Sequence, residues 1–165
     1  EIEAVLKNLL EEQVSIRNMV VILETLGDYG KLTRDPWTLT EKVREALGAQ
    51  ICQQYADENK VLHVLNLSQS LAQKILDHRA DMPGKGPIVA FDPVDARNYI
   101  STMSNAVAAV RERNYLPIIL CPSEVRRLVK SSTELEMPGI IVLSINEVMA
   151  ASPNIKVESL GEING

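Results

Sequence analysis

The first spacing in this chain with catalytic potential joins Cys121 to Arg127, five residues apart, where the apolar run "LPIILC" passes into "PSEVRR". A cysteine phosphatase uses Cys-x5-Arg to set a thiolate and a guanidinium against one phosphate. That chemistry needs a thiol pKa well below about 8.5 and backbone N–H groups converging on the anion. The local residues oppose both requirements. Pro122 removes one donor, no glycine lets the loop close around an anion, and no histidine precedes Cys121. Glu124 adds a carboxylate beside the cradle, where two unit charges about 4 Å apart repel by about 4 kcal/mol at an effective dielectric of 20. A helix N-terminus returns only about 0.3–1 kcal/mol. The same residues make an ordinary strand end: a buried strand stops at Cys121, Pro122 and Ser123 turn and cap, and "EVRRLVK" opens a helix with Glu124 in its first turn.

Other motifs fall away on spacing. In "PGKGP" the Gly-Lys pair runs into Gly86 and Pro87 instead of a Ser or Thr, so no P-loop forms, and no GxGxxG follows a strand. Cys52 and Cys121 make no CxxC, and neither clusters in sequence with His63 or His78, so no metal site and no cofactor is expected and a reducing compartment is the simplest setting. A helix-turn-helix DNA reader fits the first third in shape only. Residues 1–56 carry six basic against nine acidic side chains, where a phosphate-facing surface needs the reverse.

The whole chain points the same way. Its 165 residues, 45% hydrophobic and 24% charged, have ordinary globular composition, and the net charge of -5 argues against nucleic acid or an anionic membrane as partner. Apolar runs such as "VVIL" and "LPIILC" fall short of the roughly 18 residues that cross a bilayer. The chain opens at Glu1 directly in an amphipathic helix, without an initiator Met or signal-peptide pattern, as expected of a piece of a longer protein.

The elements that must position these residues follow from periodicity. Ile2, Val5, Leu6, Leu9 and Leu10 share one helical face. A second helix is expected from Ile16 to Tyr29, capped by Ser15 and ended by Gly30, with Ile16, Met19, Val20, Ile22, Leu23 and Leu26 as its core arc. A third opens at Asp35 and Pro36 and carries Leu39, Val43, Ala46, Leu47 and Ile51 on one face. Buried strands are expected at 61–67, 86–91, 116–121 and 139–144, with helices at 68–80, 93–113 and 124–133 and "DMPGKGP" as a flexible link. The alternating "IKVESLGEI" reads as an edge strand. Crossover connections of this length imply a largely parallel or mixed sheet. The expected class is α+β: a three-helix subdomain over 1–58, then an α/β subdomain over 59–165.

On the second helix, Arg17, Val21, Glu24 and Asp28 form a stripe opposite the expected core arc. It reads either as a solvated face or as a docking surface, which a helical unit of about 56 residues, marginal alone, would gain from. Trp37 likewise reads as a docking residue or a partly buried core one.

Taken in order, "EEQVSIRNMVVILETLGDYGKLTRDPWTLTEKVREALGAQICQQYA", "LPIILCPSEVRRLV", "IIVLSINEV" and "VESLGEI" resemble the C-terminal cytoplasmic part of the type III secretion export-gate (FHIPEP) family. "YADENKVLHVLNL" and the closing "SLGEI" lean towards its flagellar branch, with the virulence injectisome gate as the alternative. The resemblance implies a membrane domain followed by four cytoplasmic subdomains that assemble as a ring, this chain being the third and fourth. It implies a non-enzymatic docking and ring-forming module of protein secretion and flagellum assembly, at the cytoplasmic face of the bacterial inner membrane. The partners it implies are further copies of the same protein, export chaperone–substrate complexes, the export ATPase complex and other export-gate proteins, with no membrane contact by this part. The family's chaperone pocket and proton-coupling residues lie in parts absent here. The matching helical segment belongs to the subdomain implicated in ring contacts, which makes Arg17, Glu24, Asp28, Asp35, Glu41 and Arg44 candidate subunit-interface residues. Asn18 and Ile145 stand where the family usually carries Asp and Tyr.

Overall fold

The computed structural model describes residues 1–165. The chain divides into two compact units, Glu1–Tyr55 with Asn146–Ile155, and Ala56–Ile145 with Lys156–Gly165. The fold is α+β.

The first unit contains α1 (Ile2–Glu11), α2 (Met19–Tyr29), α3 (Pro36–Ala46) and α4 (Gly48–Tyr55), together with α8 (Ile145–Ala151) from Asn146 onwards. In α1 the apolar face buries Val5 and Leu9 completely. The helix stops where Gln13 adopts the left-handed φ of 63°. Asp35 caps α3 as its sequence requires, accepting from the Trp37 and Thr38 N–H groups, with Pro36 in the first turn. The long helix expected through Ile51 is instead a pair, because Leu47 leaves helical geometry at φ -95°, ψ 13°.

The second helix differs most from expectation. Ser15 accepts from the Arg17 N–H at 3.3 Å and caps nothing, and α2 begins only at Met19, after Asn18, whose side chain makes no capping bond. Ile22 and Thr25 turn inward, whereas Val20 is 67% and Leu23 47% exposed. An arc of about 160° is wider than one neighbouring helix covers, and α2 rests chiefly on α3. The remaining strip of the arc stays outside. The helical unit also takes in Asn146–Ile155, which in chain order falls inside the α/β half.

The second unit runs β1 (Val61–Leu67), α5 (Gln69–Asp77), β2 (Arg79–Met82), β3 (Gly86–Val89), α6 (Pro93–Glu112), β4 (Ile118–Cys121), α7 (Ser123–Thr133), β5 (Ile141–Ser144) and β6 (Lys156–Ile163). Four parallel strands stand in the order β5-β4-β1-β6, which puts β6 at an edge. β2 and β3 instead form a separate antiparallel pair. "GPIVAF" therefore does not join the main sheet, and "DMPGKGP" is a hairpin, because Gly84 and Gly86 take φ of 79° and 76° and let the chain return on itself. The helix expected to 80 ends at Asp77, since Arg79–Met82 is the first hairpin strand. The core gathers Leu65 and Ile119 from the sheet, Ile75, Met103 and Val129 from the helices, and Tyr99, whose hydroxyl shares a 2.8 Å hydrogen bond with Ser132. No helix is long and apolar enough to cross a membrane.

Candidate functional site

Cys121 ends β4 at 1% exposure, its thiol 3.8 Å from the Leu143 carbonyl to which it donates. Pro122 stands before α7 as its N-cap residue without a side-chain capping bond. Arg127 lies on α7 and pairs with Glu134 at 3.9 Å, near that helix's C-terminal end. A covered thiol, a proline at the turn and an arginine directed along its own helix make the expected strand end, but Ser123 is the first residue of α7 and not its cap. They build no phosphate cradle.

Two of the exposed apolar side chains of the helical unit line up on α2. Val20, Leu23 and Gly27, at i, i+3 and i+7, share its outward face, and an added Cβ at Gly27 would meet nothing within 4 Å. Glu24 and Asp28 are exposed beside this strip, and Arg17, also exposed, precedes the helix. Asp35 is exposed at the start of α3, where it also accepts from the Thr38 hydroxyl at 2.7 Å. Glu41 is half-buried on α3. These residues do not converge on one point; they span α2, its approach and the first turns of α3.

Arg44 departs from the surface role expected of it. Only 3% of its side chain is exposed, and its Nε donates to Glu147 Oε2 at 2.6 Å while Nη2 donates to Oε1 at 3.3 Å. The Glu12 carboxylate, 9% exposed, lies 3.8 Å from Nη1. A planar fork facing a carboxylate in two bonds is the geometry that suits a buried arginine. Around it, the Cys52 thiol donates to the Glu147 carbonyl at 3.6 Å. Burial first, then the Glu147 charge, push that thiol up to about 12, with Arg44 opposing. Burial also raises the Tyr55 hydroxyl above its ordinary value. Neither group is a nucleophile at neutral pH.

Sequence reasoning missed Glu147 and Gly48. An added Cβ on Gly48 would overlap the Glu147 carbonyl oxygen and lie 2.7 Å from Ala150 Cβ, so only glycine lets α8 approach this closely. Asn146 adds a 3.1 Å bond to Glu45. The available signal was a single acid inside the short run "INEVMAA", which does not say where its partner lies.

The FHIPEP family model matches residues 1–152. The chain belongs to the FHIPEP family. It is 38% identical over 164 residues to the flagellar biosynthesis protein FlhA of Bacillus subtilis (strain 168), covering 99% of this chain and 24% of that protein. It is also 38% identical over 160 residues to FlhA of Borreliella burgdorferi, covering 97% and 22%. Among solved structures, the Shigella flexneri MxiA protein superposes with a TM-score of 0.84 at 25% identity, over 98% of this chain and 50% of that one. The nonameric EscV cytosolic domain from the type III secretion system gives 0.80 at 27%, over 98% and 46%. The Chlamydia pneumoniae CdsV and CdsO protein complex gives 0.78 at 27%, over 97% and 46%. This FHIPEP chain thus spans about a quarter of the length of the curated relatives it matches and about half of these solved chains.

Proposed function

We propose that this chain is a non-enzymatic docking and ring-forming part of a type III protein export gate, serving flagellar protein export at the cytoplasmic face of the inner membrane. The observation that carries the reading is the outward strip of α2, where Val20 and Leu23 stand 67% and 47% exposed on one face with Gly27 between charged neighbours. Scattered exposed apolar residues need no explanation, but an aligned strip on an otherwise apolar helix fits a packing partner. Fully burying an exposed valine or leucine gains about 1.5–3 kcal/mol, and Val20 and Leu23, already part covered, gain the share that their 67% and 47% exposure leaves. The nonameric state of the EscV cytosolic domain supports a second copy of this chain as that partner, and the likeness to FlhA supports the flagellar branch over the injectisome.

On this reading Arg17, Glu24, Asp28, Asp35 and Glu41 flank the subunit contact and set its register by charge. Arg44 acts only through the interior of the unit. Residues 1–58 and 59–165 correspond to the third and fourth cytoplasmic subdomains, with 146–155 returning to the helical one. Chaperone–substrate complexes, the export ATPase complex and other gate proteins are the further partners, and the CdsV–CdsO complex supports an export-related partner beside the ring contact. The test is Val20→Glu/Leu23→Glu in the full-length protein. Both side chains are exposed, so the fold is retained while ring assembly, by electron microscopy of detergent-solubilised protein, and flagellin secretion fall together. Normal rings and secretion in this variant would refute the assignment.

A further inference from the structure

A groove of about 650 Å³ opens between the end of α1, the connection that follows it and α4. Its size lies in the range of sites that hold a ligand. The floor is apolar: Leu10 is 51% exposed there, and Val14 beneath it is almost fully buried. The walls are glutamines. Gln50 donates to the Ser15 carbonyl at 3.1 Å and Gln54 to the Gln13 carbonyl at 3.2 Å, which holds the connection against α4. Both keep their amide oxygens for other donors, and the Gln53 side chain beside them makes no hydrogen bond within the chain.

The one charged lining group is Arg17. Its guanidinium forms no ion pair, as Lys31 also forms none, whereas Lys7, Arg34, Lys42 and Arg44 are each paired with a carboxylate. The unit carries ten acidic against six basic side chains, yet no acid lines the groove. An unspent arginine in an acidic unit, above an apolar floor and between side chains that mimic peptide groups, defines its own complement.

We infer that this groove binds an extended segment of a partner polypeptide carrying an apolar side chain and a nearby carboxylate. The apolar side chain covers the exposed face of Leu10, and the carboxylate takes the Arg17 fork. The free glutamine amide groups meet the peptide's main-chain N–H and C=O groups, whose donor and acceptor chemistry they share. Nucleic acid and phosphate are disfavoured by a single cation in a unit of net negative charge. The inference goes beyond the ring proposal, because the groove is built on α1, the connection after it and α4, whereas the apolar strip of the subunit contact is on α2; Arg17 borders both, and the change of the probe's Glu to Gln separates the two roles.

The test uses the 165-residue chain, isotope-labelled, with N-acetyl-Ala-Leu-Ala-Glu-Ala-amide as probe at about 1 mM and above. Expected are amide shift changes confined to Leu10, Gln13–Arg17 and Gln50–Gln54, with affinity at least about tenfold weaker when the probe's Glu becomes Gln or when Arg17→Gln is introduced, a difference of about 1.4 kcal/mol. Arg17→Gln leaves the melting temperature unchanged, since the side chain is exposed, and Leu23→Glu leaves peptide binding intact whether or not it disrupts rings. Equal binding of the Gln probe, shifts centred on α2, or no shift at any concentration would overturn the inference. Shifts of the groove residues that follow protein concentration without peptide would assign the groove to another copy and overturn it equally.

Discussion

Replacing Arg44 by methionine tests the reading of the buried ion cluster most directly. The substitution keeps much of the stem and removes the charge, leaving Glu147, wholly buried, and Glu12, 9% exposed, without their cation. Removing one partner of a buried pair costs about 3–5 kcal/mol, because the remaining charge stays desolvated. Total stabilities of domains are about 5–15 kcal/mol, so the loss is a large fraction. For a chain of this length each kcal/mol moves the melting temperature by about 2–4 °C, which gives a fall of about 6–20 °C. Trp37, the only tryptophan, lies half-buried on α3, so its fluorescence in urea at pH 7 reports the helical unit alone. The companion variants are Glu147→Leu and the double variant. Removing both charges relieves the uncompensated one, so the double variant recovers a substantial part of the single-variant loss, with a coupling of about 2 kcal/mol or more. An Arg44→Met cost below about 1 kcal/mol, or a double variant no more stable than the worse single one, would refute the argument.

Gly48→Ala forces a methyl group into the Glu147 carbonyl and Ala150. Overpacking against backbone costs about 1–3 kcal/mol, read by the same Trp37 transition, and an unchanged midpoint would show that α8 is not held at this distance. Asp57 contributes to the acid limb, its carboxyl held below its ordinary 3.8 by a hydrogen bond from His63, at 2.8 Å, and then by the Val61 N–H. A depressed folded-state value means that Asp57 contributes stability above 3.8 and loses it as the pH falls through the lower folded value. Asp57→Asn should therefore melt below the unmodified chain at pH 6, with the gap closing as the pH drops below 3.8, and a pH-independent gap would contradict this.

Much of the fold could be read from short-range signals. "VLHVLNL" is β1 to the residue, and Asp35–Pro36 and Asp92–Pro93 open α3 and α6 because an acceptor followed by a preformed φ satisfies the first turn's N–H groups. The Cys121–Ser123 junction likewise followed from residues within a few positions of it. The rotation of α2 was not legible in this way. Its apolar arc was correct as composition, but the half facing α3 depends on where α3 lies. Arg44 misled for a related reason: at helical spacing a charged residue reads as exposed, and only a carboxylate 103 positions away reverses that.

By itself, then, the sequence determined the order and type of most elements, the buried strand end at Cys121 and the family signature, since each rests on neighbours along the chain. Only the tertiary structure decided which of those surfaces are spent and which are open: that Arg44 is consumed by Glu147, that Val20 and Leu23 are left outside, and that Arg17 sits unpaired in a glutamine-lined groove. Burial and pairing are properties of what a side chain meets in space. Residues that meet across a hundred positions leave no periodic mark in the sequence that joins them.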